Sequence, residues 1–256
     1  MMSKNRIWEL DALRGLCILG MIAVHFLFDL TGFNGLPSAL LFLADWGGAA
    51  FFLISGICAT LGSRCIRRGL TVLGCGLAVS TVTVIMYRLG LAPKALIIYF
   101  GVLHCLGVCM LLWHFFRNLP TAVLAVLSAV FIAIGLLIQN VRIDVRWLVW
   151  LGLRYEGFAT SDYFPLLPFL GFFLLGAVLG RLLYREKRSL LPGVRGFHAL
   201  QWMGRQSLPI YMLHQPLYEP TDGYPASGGH WPGLSDSVFP DRDFVWLFEK
   251  SLLSET

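Results

Sequence analysis

Hydrophobic residues along the chain gather into seven long runs separated by short polar segments. The runs cover residues 11–31, 38–61, 70–89, 95–116, 119–140, 164–184 and 205–219. Most of them reach the roughly 20 residues that a helix needs to cross about 30 Å of hydrocarbon. We therefore predict an all-α fold, a polytopic transmembrane helix bundle of about seven spans.

Two parts of the chain do not fit the pattern of spans. Residues 145–153, VRWLVWLGL, are apolar but too short to cross a bilayer, so we expect them to lie along the membrane interface. The tail, residues 220–256, is rich in glycine, proline and serine near its start, which is typical of a loop or a disordered segment. The prediction is one membrane domain over residues 1–219, followed by a polar tail over 220–256.

Composition supports a membrane protein and argues against two other classes. The 256 residues are 57% apolar and only 14% charged, whereas soluble domains have about 25% charged residues. The net charge of +5 does not indicate nucleic acid binding, because the basic residues lie in short loops between apolar runs. No CxxC pair occurs among the six cysteines, so we predict neither a zinc site nor a disulfide framework.

The basic residues also predict the orientation of the bundle. Lysine and arginine are enriched in cytoplasmic loops. With a cytoplasmic N-terminus, thirteen of them fall on the cytoplasmic side and five on the other side before the tail. The thirteen are Lys4, Arg6, Arg14, Arg64, Arg67, Arg68, Arg117, Arg181, Arg185, Lys187, Arg188, Arg195 and Arg205.

The first apolar run carries four ionisable residues, Asp11, Arg14, His25 and Asp29. A helix turns by about 100° per residue, which places all four within a stripe of about 60° that extends over roughly 27 Å. Ionisable groups that face lipid cost several kcal/mol each. The stripe is therefore expected to face the protein interior or a wet cavity.

The stripe has a chemical interpretation and a structural one. His25 and Asp29 are four residues apart, so the carboxylate could orient the imidazole and raise its basicity, as a general base requires. Alternatively, Asp11 and Arg14 form a structural pair near the interface, and His25 makes an ordinary hydrogen bond between helices.

Other polar residues lie inside or beside the predicted spans. His104 and His214 could meet His25 around a central cavity, although each could also be structural. The three histidines come from separate runs without ligand-like spacing, so no metal site is predicted. Asp45 is expected near the level of Asp29, either as a site residue or as the cap of an entering helix.

Three arginines, Arg64, Arg67 and Arg68, follow the second run. The preference for basic residues on the cytoplasmic side explains them on its own. The functional alternative is that they bind the phosphates of an anionic cytosolic cofactor.

Five stretches of the sequence resemble one family. They are RIWELDALRGLCILGMIAVHFLFDL, LADWGGAAFFLISG, YFGVLHCLGV, DYFPLLPFLGFFLLGAVLGRLLY and GRQSLPIYMLHQP. Together they resemble bacterial members of the heparan-α-glucosaminide N-acetyltransferase catalytic-domain family. The resemblance runs from Arg6 to about Pro216. The family is also similar to other transmembrane acyltransferases, which share an early arginine and a later histidine in the first helix.

The resemblance implies an enzyme that moves an acetyl group across a membrane, from cytosolic acetyl-CoA to a sugar amine or hydroxyl on the far side. It places Asp11 and Arg14 in an LD-x-x-RG motif at the cytoplasmic end, and His25, Asp29 and Asp45 at polar positions near the outer end. The expected location is a bacterial inner membrane, with membrane lipid and a glycan or other small acceptor as partners and a homo-oligomer as a possibility.

The leading hypothesis is therefore an acetyltransferase in which acetyl-CoA contacts Arg14 and the three later arginines, with His25 as base or acetyl carrier. A proton-coupled transporter is an alternative, because a polar stripe through the bilayer also suits an ion pathway. A third possibility is a non-catalytic membrane protein whose polar residues only hold helices together.

Overall fold

The computed structural model describes most of the region that carries the predicted spans. The described residues are 7–31, 38–139, 141–158, 160–192 and 196–214, with the backbone alone described for 28–31, 38–41, 44 and 45. The predicted polar tail, residues 220–256, lies outside the described residues.

In this part of the chain the protein forms eight α-helices and no β-strand. The helices are α1 Trp8–Thr31, α2 Ser38–Leu61, α3 Cys65–Arg88, α4 Val102–Phe116, α5 Thr121–Ile138, α6 Leu166–Leu183, α7 His198–Arg205 and α8 Ser207–His214. Two short 3-10 helices, Lys94–Leu96 and Arg146–Leu151, lie in the loops before α4 and α6.

Four helical stretches are long and apolar enough to cross a membrane. They are Trp8–Leu27, Cys65–Arg88, Thr121–Ile138 and Leu166–Leu183, and the shorter apolar stretches Trp46–Leu61 and Val102–Phe116 accompany them. The prediction of an all-α membrane bundle is confirmed.

The seventh predicted run differs from the expectation of one helix. Its described part contains α8 and the end of α7, and each of these helices has eight residues, or about 12 Å. The break falls at Gln206, whose φ of −101° and ψ of 21° are not helical. Pro209 explains the position of the break, because it has no N–H to donate to the carbonyl of Arg205 four residues earlier. Neither short helix spans a bilayer alone.

The core forms where α6 packs between α2 and α5. Phe52, Phe169 and Phe173 are fully buried at the α2–α6 contact. Gly56 and Gly176 let the two backbones touch, because a β-carbon at either position would overlap a carbonyl group of the facing helix. This close approach is the usual way in which small residues hold membrane helices together.

The helix α4 begins later than the sequence predicted, at Val102 instead of residue 95. The preceding segment runs alongside the residues before α6: Phe100 forms an isolated bridge with Tyr163, and its carbonyl accepts a hydrogen bond of 3.0 Å from the Phe164 N–H. The Thr160 hydroxyl donates a 2.7 Å bond to the Ile97 carbonyl. These contacts fix residues 160–164 against the segment before α4.

The helix α7 packs against the beginning of α1. Gly204 lies against the carbonyl of Asp11, and Gly15 lies against the carbonyl of Leu200. An ion pair of 3.7 Å between Arg205 Nε and Asp11 Oδ2 joins the same two helices. The helix α8 then continues along α1 toward His25.

Residues 145–153, expected at the membrane interface, contain the 3-10 helix Arg146–Leu151. Both tryptophans of this short helix, Trp147 and Trp150, are exposed. Tryptophan side chains are enriched where a membrane meets water. The exposed indoles fit the predicted location, which stays a prediction.

Candidate functional site

A cavity of about 580 Å³ lies inside the bundle, lined by α1, α2, α3, α4, α7, α8 and the segment before α6. Its volume falls within the range of small-molecule and cofactor pockets. It is long: the helix α1 contributes lining residues from Asp11 to His25, and Arg14 and His25 are separated by about 16 Å of helix rise.

The polar stripe predicted on the first helix faces this cavity over its described length. Asp11, Arg14 and His25 all line the cavity. The side chains of Asp29 and Asp45 lie outside the described residues, so the predicted contact between Asp29 and His25 stays a prediction.

One end of the cavity, which we call the basic end, is lined by arginines. They are Arg14 from α1, Arg64 directly before α3, Arg67 and Arg68 in its first turn, and Arg205 from α7. Arg205 is paired with Asp11. The other four guanidinium groups form no ion pair within the described part of the chain. A cluster in which arginines outnumber carboxylates in this way suits an anion, above all a phosphate.

Asp11 has a structural role in addition to its place on the cavity wall. Its carboxylate joins Arg205, which also donates to the carbonyl and side-chain oxygens of Gln201 within α7. The alternative of an Asp11–Arg14 pair is not the arrangement that the structure shows for Arg14. Asp11 instead pairs with Arg205, and no ion pair between Asp11 and Arg14 is found among the described residues.

His25 and His214 lie side by side at the other end, which we call the far end. Their ring centroids are 5.2 Å apart in an edge-to-face arrangement. His214 Nδ1 donates a 2.6 Å hydrogen bond to the carbonyl of Tyr211, because a carbonyl can only accept. Its Nε2 is buried and has no hydrogen-bond partner in the described residues. A neutral His214 would therefore present an unused acceptor beside His25.

His104 does not line the cavity, and its ring accepts a hydrogen bond from the backbone near the start of α4. The Gly101 N–H donates to His104 Nδ1 at 3.3 Å, so the ring proton of the neutral form is on Nε2, which lies 3.2 Å from the Ser80 hydroxyl. That hydroxyl donates a 2.6 Å bond to the carbonyl of Ile98. These bonds tie α3 to the start of α4. Of the three histidines that were expected to meet around the cavity, the structure brings together His25 and His214.

Asp162 also lines the cavity, although the sequence pattern did not indicate it as a site residue. Its Oδ2 accepts hydrogen bonds from the Tyr211 hydroxyl at 2.9 Å and from the Val102 N–H at 3.1 Å. Burial raises the pKa of this carboxyl to about 6, although both hydrogen bonds act in the opposite direction. The stretch DYFPLLPF offered a signal, since an acid stands directly before a predicted span.

A metal centre has no support among the described residues. No three histidine, cysteine, aspartate or glutamate side chains there lie close enough together to hold a metal ion. The polar residues that the structure does bring together are two histidines, a tyrosine and one carboxyl at the far end, and arginines at the basic end. This arrangement suits proton transfer next to an anion-binding channel.

Comparison with known proteins identifies one relationship. Residues 6–216 match the family model described as heparan-alpha-glucosaminide N-acetyltransferase, catalytic. The chain matches no curated protein and no solved structure.

Proposed function

Because the chain belongs to the heparan-alpha-glucosaminide N-acetyltransferase catalytic family, we propose that it is a membrane acetyltransferase that uses cytosolic acetyl-CoA. The acceptor is the amine or hydroxyl of a sugar or similar small molecule on the other side of the membrane. From the excess of basic residues on that side, we expect the basic end of the cavity to face the cytoplasm. The membrane is expected to be a bacterial inner membrane, and a homo-oligomer remains a prediction.

The observation that carries this proposal is one cavity that joins unpaired arginines to a histidine. Arg14, Arg64, Arg67 and Arg68 present positive charge without a carboxylate partner in the described residues. Acetyl-CoA carries its phosphates at one end and its thioester at the end of a long pantetheine arm. Phosphates at the basic end would let that arm follow α1, past Cys17 and Met21, toward His25.

His25 is the residue that we assign to proton transfer. The acceptor nitrogen or oxygen attacks the thioester carbonyl carbon while His25 takes the proton from that nitrogen or oxygen. The carbon–sulfur bond then breaks, and the coenzyme leaves as a thiolate that takes up a proton to give the free thiol. His214 packs against His25 and restricts the imidazole orientation.

A second route is chemically consistent with the same geometry. His25 could attack the thioester itself and carry the acetyl group until the acceptor arrives. Isotope exchange separates the routes, because labelled CoA can enter the acetyl-CoA pool without an acceptor only if an acetyl-enzyme forms. Exchange in the wild type that is lost in His25→Ala supports the acetyl-histidine route.

The proposed activity is tested with the full chain in lipid nanodiscs, using [¹⁴C]acetyl-CoA as donor and glucosamine as the acceptor probe. We expect His25→Ala to bind acetyl-CoA like the wild type and to lose at least about a hundredfold in turnover. His114→Ala is the matched control, since His114 lies on α4 and does not line the cavity. A wild type that binds no acetyl-CoA, or a His25→Ala variant with full turnover, contradicts the assignment.

A further inference from the structure

The far end of the cavity holds a carboxyl group that the proposed chemistry does not yet use. Asp162 is linked to the two histidines through Tyr211: the Tyr211 hydroxyl donates to Asp162 Oδ2, and the Tyr211 ring lies 5.3 Å from the ring of His214. His214 in turn contacts His25. Asp162 thus belongs to the same cluster as the proposed base.

The position of this carboxyl is fixed by the fold. Residues 160–164 are bonded to the segment before α4, through the Thr160 hydroxyl and the Phe164 N–H. Gly101 is necessary for the approach, because a β-carbon there would overlap the Asp162 carboxylate. The side chain therefore has little freedom to move away from the cavity wall.

Among the described residues, both hydrogen-bond donors to the Asp162 side chain use the same oxygen. Both of its hydrogen bonds end on Oδ2, and no bond from a described residue reaches Oδ1. We propose that Asp162 binds the acceptor: Oδ1 accepts a hydrogen bond from an amine or hydroxyl of the acceptor, while Tyr211 and the Val102 N–H hold Oδ2. This inference rests on the acetyl transfer proposed above.

The charges along the cavity agree with this assignment. In the described lining, all five arginines lie at the basic end, and Asp162 is the acidic residue at the far end. An anionic donor and an amine or polyol acceptor would each meet a complementary charge. The same distribution disfavours an acceptor that carries a phosphate or carboxylate next to its reacting group.

A purely structural role for Asp162 makes a different prediction. The Asp162 side chain also caps α4, because it accepts a hydrogen bond from the N–H of Val102, the first residue of that helix. Loss of that stabilisation would lower protein stability and active fraction but would leave the KM for the acceptor unchanged. A change in the acceptor KM that is larger than the change in kcat therefore indicates acceptor binding, whereas a loss of active fraction with an unchanged KM indicates a structural role.

The experiment compares Asp162→Asn, Tyr211→Phe and Asp144→Asn with the wild type in nanodiscs. Asp144 is an exposed carboxyl of the same loop that does not line the cavity, so its variant is the control. Acetyl-CoA binding is measured first, and glucosamine KM and kcat follow at saturating donor. We expect Asp162→Asn to raise the glucosamine KM about tenfold or more and to change kcat less than about threefold.

The remaining expectations concern the supporting residues and the class of acceptor. Tyr211→Phe keeps the bond from Val102 and should raise the same KM by about threefold, and Asp144→Asn should match the wild type. If Asp162→Asn does not fold, Tyr211→Phe decides the question. Glucosamine 6-phosphate should be a poorer acceptor than glucosamine by about tenfold.

Failure of this inference differs from failure of the proposed function. A wild type without acetyl-CoA binding removes both. Normal acetyl-CoA binding and glucosamine acetylation, with an unchanged glucosamine KM in Asp162→Asn, overturns the role of Asp162 alone. Equal use of glucosamine and its 6-phosphate also overturns that role alone. A wild type that binds acetyl-CoA but acetylates none of glucosamine, galactosamine and methyl glucoside contradicts both proposals.

Discussion

Arg14 should contribute more to acetyl-CoA binding than any exposed arginine of the basic end. It lies on the cavity wall one turn below Cys17, it is half-buried, and it has no ion pair in the described residues. Replacing it with glutamine removes the charge and the forked donor set but keeps most of the side-chain volume. We expect Arg14→Gln to weaken acetyl-CoA binding without unfolding the protein.

The size of the effect follows from the surroundings of the guanidinium group. At an effective dielectric constant of about 20, two unit charges 4 Å apart attract by about 4 kcal/mol before desolvation is counted. The net value of a hydrogen bond to a charged group is about 1.5–3 kcal/mol. The Kd for acetyl-CoA should therefore rise roughly ten- to a hundredfold. Arg67 is exposed, so Arg67→Gln should raise it less than about fivefold.

The assay uses equilibrium binding of two ligands to the full chain in nanodiscs. Acetyl-CoA carries the phosphates, and S-acetylpantetheine has the same thioester and arm without the nucleotide. Arg14→Gln should weaken acetyl-CoA binding and leave S-acetylpantetheine binding within about twofold of the wild type. Arg185→Gln is the control, since Arg185 is exposed and does not line the cavity.

Two results would refute this reasoning. If Arg14→Gln binds acetyl-CoA as tightly as the wild type, the cavity arginine does not contact the donor. If both ligands lose affinity equally, Arg14 supports the shape of the cavity and does not bind phosphate.

Three further predictions concern the packing, the histidine pair and the buried carboxyl. Gly176→Val should lower the free energy of unfolding in detergent by at least about 2 kcal/mol, because the valine side chain would overlap the backbone of α2. Gly74→Val, at an open position of α3, should change that free energy little. Equal effects of the two substitutions would contradict the close packing of α2 and α6. His214→Phe keeps an aromatic ring against His25 but removes both ring nitrogens. The kcat should therefore fall about ten- to a hundredfold, while the Kd for acetyl-CoA stays unchanged. An unchanged kcat would exclude a role of His214 in positioning His25. Burial raises the pKa of Asp162 from 3.8 to about 6, so the folded state holds this proton more tightly than the unfolded state. The free energy of unfolding should therefore fall by about 3 kcal/mol between about pH 4 and pH 6 in the wild type but not in Asp162→Asn. Parallel pH profiles of the two proteins would contradict this.

Hydropathy was enough to locate the six long helices, because in a membrane each span must satisfy its own backbone and remain apolar. It could not find α7, because His198, Gln201 and Arg205 interrupt the apolar pattern of its eight residues. It also could not separate α7 from α8, since the break depends on one missing N–H at Pro209. Helix boundaries such as the late start of α4 depend on tertiary contacts, here with the segment before α6.

The candidate site was predictable where helix geometry decides it and not where distant residues meet. The spacing of Asp11, Arg14 and His25 within one helix was sufficient to place them on a common face. Asp162 was missed because its partners Val102 and Tyr211 are 60 and 49 residues away in sequence. His104 illustrates the converse: its depth in a span suggested chemistry, but its hydrogen bonds are to neighbouring structural groups.

The most direct test of the account is a cryo-electron microscopy structure of the full chain with acetyl-CoA bound. We expect phosphate density within hydrogen-bond distance of Arg14 and the arginines at the start of α3, and pantetheine density along α1 that ends with the thioester beside His25. Density for the coenzyme outside this cavity, or a thioester that points away from His25, would contradict it.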